Sequence, residues 1–201
     1  SSSSTIERIL WFDVIKLNHI LSARTGIYRY EQMASVFLRR EDGGLQKIAA
    51  SSAEACGLTM SQMTKGKLRV ESYFESEGSR DQAWPGGAIP EDGLPAMLRD
   101  FLSGDLPARL KIFPSLLHGR HPSLSASDWD LARDAEGETI VMTLARGSAR
   151  SVLRFAKTAP HHLVSWEKSD GTRYRLRKVE RLPYWNLNGP AGAAWWPEEL
   201  R

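Results

Sequence analysis

Residues 137–185, GETIVMTLARGSARSVLRFAKTAPHHLVSWEKSDGTRYRLRKVERLPYW, decide the fold. They contain four runs in which apolar and polar residues alternate, at 138–145, 150–156, 161–167 and 172–182, with short turn signals between them. Successive side chains of a strand point to opposite faces, so the pattern predicts an up-and-down antiparallel meander over 137–182. Ile140, Met142 and Leu144 share one face of the first run, and in the last Tyr174 and Leu176 lie between Arg173, Arg175 and Arg177. Asp170-Gly171 is the clearest turn, because glycine accepts the positive φ of a tight hairpin. A slip of phase between Leu176 and Val179 predicts a bulge near Arg177 and Lys178.

Upstream, residues 26–77 read as a hairpin and strand region. Tyr28, Tyr30, Ala34, Val36 and Leu38 fall on one face of a strand, with Arg29, Glu31, Ser35 and Arg39 on the other. Glu41-Asp42-Gly43-Gly44 is a turn signal, and residues 45–53 continue as a strand of small residues. Residues 56–64 fit neither period. In 67–77, Leu68, Val70 and Phe74 alternate with Arg69, Glu71, Tyr73, Glu75 and Glu77, which predicts a strand with one wet face. Residues 78–90, with Trp84-Pro85-Gly86-Gly87, read as a loop. Leu94, Met97, Leu98, Phe101 and Leu102 match helical spacing and Gly104 suits a helix terminus, so an inserted helix is expected over 92–103. An extended segment at 106–113 and a loop at 114–127 follow.

The first 22 residues read as a disordered serine-rich lead, 1–4, and a helix, 5–22. Ser4 and Glu7 have the spacing of a capping box, and Ile6, Ile9, Leu10, Leu17, Ile20 and Leu21 fall near helical spacing, widened by Trp11, Val14 and Ile15. The four serines fit either an artificial start or the mature end left by a cleaved signal peptide. The closing segment, 183–201, carries Tyr184, Trp185, Trp195 and Trp196 among Gly and Pro, and is expected to pack back over a sheet edge or an opening.

At 201 residues and 41% apolar content the chain suits one domain with a real core. Its net charge of +3 is spread rather than clustered, which argues against a nucleic-acid surface. No run reaches the roughly 20 apolar residues of a transmembrane helix. With a single cysteine, Cys56, there is no intrachain disulfide, and a small buried thiol is the expectation.

Catalytic signatures are missing from the sequence: there is no Gly-x-Ser-x-Gly elbow, no Gly-x-Gly-x-x-Gly and no Walker loop. His118 and His121, ahead of Asp128 and Asp130, have no recognised ligand spacing and read as loop residues. His161 and His162, adjacent on a strand, face opposite ways and cannot share an ion. Glu71, Glu75 and Glu77 read as a hydrated face beside Arg69. No metal or cofactor is expected. Seven tryptophans are the remaining lead, since a rigid aromatic face binds with little entropy loss. Trp11, Tyr28, Tyr30, Trp84, Trp166, Tyr174 and Trp185 are the candidate ligand-binding residues, against the alternative that such rings plug the ends of a curved sheet.

The expected fold is therefore α+β and mainly antiparallel β, a curved sheet or half-barrel covered by an N-terminal and an inserted helix. On residues 4–21, 28–53, 67–77 and 137–182, this layout resembles bacterial envelope half-barrel families, the Lol-type lipoprotein carriers and similar periplasmic β-rich domains. The resemblance implies a cavity for acyl chains or another apolar molecule, and a place in the periplasm or at the outer membrane. The expected function is a noncatalytic envelope protein that binds a lipid or other hydrophobic ligand, with an envelope protein as a possible partner. The alternatives are a protein- or glycan-binding module using the aromatic tail, and a cyclase or isomerase with an apolar cavity.

Overall fold

Each strand of the first sheet pairs with the one that follows it in the chain, and the resulting order is β1-β2-β3-β4-β5-β6, antiparallel throughout. The computed structural model describes residues 13–120, 124–190 and 192. The fold is α+β and mainly antiparallel β, with one curled half-barrel sheet and a helical segment of 11 residues. The described residues fall into two compact units, divided between Trp129 and Asp130.

In the first unit β1 (Val14–Thr25) and β2 (Tyr28–Arg39) pair in register over their whole length, around a two-residue turn in which Gly26 has φ +62°. This corrects the expected opening helix over 14–22; its earlier part, with Trp11, lies outside the described residues. Leu17, Ile20 and Leu21 satisfy helical spacing, yet Leu17, His19 and Leu21 also satisfy alternation, and all three are half-buried while Asn18 and Ile20 between them are exposed. A partner strand that offers a full hydrogen-bond ladder outweighs the local preference.

The strands β3 (Leu45–Glu54), β4 (Gly57–Thr64), β5 (Lys67–Glu71) and β6 (Ser79–Ala83) complete the sheet. On its core face lie Ala34, Val36, Leu38, Ile48, Met63, Leu68 and Val70, all buried. The expected 67–77 strand stops at Glu71, and the expected 78–90 loop contains β6, whose Arg80 pairs opposite Val70. No apolar residue of β6 precedes Ala83, so its sequence carries no alternation to read; only the ladder with β5 makes it a strand. Cys56, expected to be buried, is exposed in the turn between β3 and β4.

The inserted helix is confirmed in place but is irregular: 3₁₀ turns at Glu91–Gly93 and Leu98–Phe101 flank α1 (Leu94–Met97). Leu94 and Leu98 are buried, and a Cβ on Gly93 would stand 3.4 Å from Val36, so the segment lies tight on β2. A short parallel pair, β7 (Ile89–Pro90) with β8 (Arg109–Phe113), brackets it, and residues 113–117 return along the core. The buried carboxylate of Asp92 joins these pieces. It accepts from the Ser115 hydroxyl at 2.5 Å and from the Leu116 N–H at 2.8 Å, while the Ser115 N–H reaches Glu91 Oε2 at 3.4 Å.

The second unit carries the predicted meander as β10 (Thr139–Arg146), β11 (Ala149–Ala156), β12 (Leu163–Lys168) and β13 (Arg173–Arg175); the strand that leads into it, β9 (Ser127–Glu136), lies ahead of the expected span. Met142, Leu153, Trp166 and Tyr174 form one cross-strand row. The last strand is three residues rather than the expected eleven, and the irregularity falls between Arg154 and Phe155 instead of near Arg177. The charged run Arg173, Arg175, Arg177 and Lys178 gives the chain little to bury beyond Tyr174. His161 and His162 precede β12, and His161 has φ +57°, so the strand geometry assumed for the pair does not hold.

Removing the Asp92 carboxylate leaves a buried hydroxyl and a buried N–H without their acceptor, each worth about 1–3 kcal/mol. Asp92→Ala is expected to lower unfolding free energy by about 2–4 kcal/mol in urea titration, and Asp92→Asn by less. A change under about 1 kcal/mol would show that the carboxylate does not tie the helical segment down.

Candidate functional site

The described candidate aromatic residues of the first unit do not converge. Tyr28 and Tyr30 stand beside the β1–β2 turn, whereas Trp84 follows β6 at the opposite end of the same sheet, its N–H bonded to Gly66 O next to the β4–β5 turn. Tyr28 is 40% exposed. The Tyr30 hydroxyl is held above its ordinary range, first by its hydrogen bond to Glu54, then by desolvation and by the charge of Glu54; a hydrogen bond with Thr25 acts the other way. Trp84 lies 4.3 Å from Phe113, ring to ring, and its indole N–H donates to Ala88 O at 3.2 Å. It closes one end of the core and lines a cleft of about 320 Å³ with Leu45, Met63 and Met97.

In the second unit Trp166 is buried, stacked on Tyr174 at 5.1 Å, and donates to the Ser151 hydroxyl at 2.7 Å. That ring is satisfied as a core residue. Tyr184 and Trp185, in a single 3₁₀ turn (Tyr184–Asn186), are 71% and 64% exposed. These two rings lie open rather than packed on a sheet edge; Trp195 and Trp196 fall outside the described residues. His118 is exposed, His121 is outside the described residues, and no group of three metal-ligating side chains occurs among the described residues. Glu71 is paired with Arg69 at 2.7 Å on an exposed face, while Glu75 and Glu77 lie beyond the strand.

The larger apolar opening lies on the other side of the six-stranded sheet. There a trough of about 370 Å³ runs over β2 to β5, lined by Met33, Ala49, Ser51, Met60, Gln62 and Arg69. The register explains it. Met33 pairs opposite Ser51, Ser51 opposite Met60, and Met60 opposite Glu71, all on the outer face. In the next row Ser35, Ala49, Gln62 and Arg69 follow one another. Small side chains on β3 thus leave a gap, walled by Met33 (40% exposed) and Met60 (50% exposed). Ile20, 55% exposed, continues the apolar row on β1 opposite Met33.

One rim of the trough is charged and internally neutralised. Arg69 holds Glu71, and Lys67 holds Asp81 at 2.9 Å. Lys67 draws the Asp81 carboxyl below its ordinary value of 3.8, first through its hydrogen bond and then through its charge, with Arg69 assisting and desolvation opposing. Of the residues around the trough the sequence drew attention only to Glu71 and Arg69, and read them as a hydrated face, because the trough is made by adjacency across four strands. The signal that was present is the run of small residues in 45–53.

The chain matches no protein-family model, no curated protein and no solved structure in the comparisons made. Fold and site define a mainly β protein with a methionine-walled trough on one sheet. No helix among the described residues is long and apolar enough to cross a membrane.

Because the folded Asp81 value is depressed, its stabilising contribution is complete above the ordinary aspartate range and is lost as pH falls through the folded value. In Lys67→Gln the Asp81 carboxyl resonance is expected to titrate closer to 3.8, with a flatter acid limb of stability. An unmoved Asp81 titration by NMR would assign the shift elsewhere.

Proposed function

We propose that this is a noncatalytic binding protein for a lipid or similar apolar molecule, and that the ligand is taken by the outer-face trough. The observation that carries the reading is the 370 Å³ opening between Met33 and Met60, over the small residues Ala49 and Ser51. Its volume is within the roughly 300–1,000 Å³ of ligand pockets. Methionine suits a guest of irregular shape, since three rotatable bonds and a polarisable sulfur adapt to what is bound. The core face, by contrast, is occupied by the chain's own Leu116, Leu117, Phe113 and Met97. A place in the bacterial cell envelope belongs to the same proposal and rests on the half-barrel layout.

The exposed Tyr184 and Trp185, edge to face at 5.4 Å, favour a second reading, a protein- or glycan-binding module. Deleting residues 183–201 separates the two: uptake of an apolar probe is unchanged under the first reading, and any partner binding is lost under the second.

Nile red, an uncharged apolar dye, is expected to bind the purified chain saturably. Met60→Glu and Met33→Glu, which place a charge in the trough, are each expected to weaken it about tenfold, the equivalent of about 1.4 kcal/mol. Absence of saturable uptake, or uptake indifferent to both variants with the fold intact by circular dichroism, would overturn the assignment.

A further inference from the structure

Next to the trough, on the same outer face, lies an unusual row. Lys16 pairs opposite Phe37 and Phe37 opposite Lys47, so two lysines flank one ring across three strands. Both ammonium groups lean over it, at 5.3 Å and 5.6 Å from its centroid. Each gains from the negative face of the ring. The two positive charges also repel, and a ring is only a partial counter-charge.

The carboxylates of this face do not relieve them. Glu71 is held by Arg69 and Asp81 by Lys67, and neither Lys16 nor Lys47 has an ion-pair partner among the described residues. An anion seated above Phe37 would meet both ammoniums at once. Lys47 is two residues from Ala49 and four from Ser51 on β3, which at about 3.3 Å per residue puts the trough roughly 7–13 Å away. That is a distance a medium-length alkyl chain spans, and Ser35, the only outer-face residue of β2 between Phe37 and Met33, is small.

Resting on the trough as the binding site, we infer that its ligand is a single-chain fatty acid, with the alkyl chain lying between Met33 and Met60 and the carboxylate held between Lys16 and Lys47 over Phe37. The lysines select an anionic head, and the trough selects the chain. A neutral molecule of the same length would keep the second contact and lose the first.

Isothermal titration below the micellar concentration, with dodecanoate and with 1-dodecanol, tests this. Dodecanoate is expected to bind about tenfold tighter, the equivalent of about 1.4 kcal/mol. The Lys16→Gln/Lys47→Gln variant is expected to bring dodecanoate down to the level of the alcohol, while Nile red uptake and the thermal melt stay as in the native chain. Equal affinity for the two ligands, or no effect of the double substitution, overturns the carboxylate site and leaves the trough standing. Flotation with phosphatidylglycerol vesicles without binding of monomeric dodecanoate overturns it in favour of a membrane-surface contact. Failure of Nile red, dodecanoate and dodecanol alike overturns the trough as well.

Discussion

A buried carboxylate between two stretches of chain sets the geometry of the first unit. Asp92 stands at the start of the helical segment, and its two oxygens take hydrogen bonds from Ser115 Oγ and Leu116 N, more than twenty residues on. A charge withdrawn from water is expensive unless its hydrogen-bonding capacity is met, so the arrangement is stable in one geometry and poor in others. With that link in place, residues 91–101 and 113–117 are held together over Val36, Ile48 and Leu68. Ser115 adds a further tie, its hydroxyl accepting from the Leu117 N–H at 3.0 Å. The polar link specifies where the apolar pieces sit, and those pieces supply the burial.

Filling the core face in this way has a consequence for recognition. Leu94, Leu98, Leu116 and Phe113 are each buried almost completely, so the side of the sheet facing them is largely covered by the chain itself, apart from the cleft beside Trp84. What remains open on the sheet is the opposite side, where Met33, Met60 and Ile20 keep 40–55% of their surface in water. Large apolar groups left exposed in a contiguous row are more informative than isolated ones, because scattered exposure is normal for any surface.

The meander over 139–156 and the strand over 28–39 were legible because their apolar residues alternate and one face is truly buried. β4 was opaque for the reverse reason: its buried residues are Thr59, Ser61 and Met63, while Leu58 and Met60 point outward, so hydrophobicity and burial are nearly out of phase. β1 misled because twelve residues can satisfy two periods, and the deciding term, the ladder to β2, is nonlocal. Asp92 gave no signal either, since its partners are far along the chain. The candidate site was illegible for the same physical reason. Met33, Ser51 and Met60 belong to three strands and become neighbours only when register is known.

The register also bears on the proposal that the trough is a binding site. Small residues on the core face, Ala34 and Ala50, have an evident use, since the helical segment must approach the sheet closely there. On the outer face Ser35 is buried and donates to Asn18 Oδ1 at 2.8 Å, but Ala49 and Ser51 serve no such packing. β-branched side chains would suit those pleats better, by up to about 1 kcal/mol at a position, and would fill the gap. Where a chain forgoes a local gain with no return in packing, a functional constraint is the physical reading. Here the forgone bulk is the space between Met33 and Met60, and the charged groups nearest to it are sorted into neutral pairs on one rim and the Lys16–Phe37–Lys47 row on the other. A floor of Ala49, Ser51 and Gln62 that carries no charge, with the charged groups at its borders, is the arrangement that the proposed amphiphile requires.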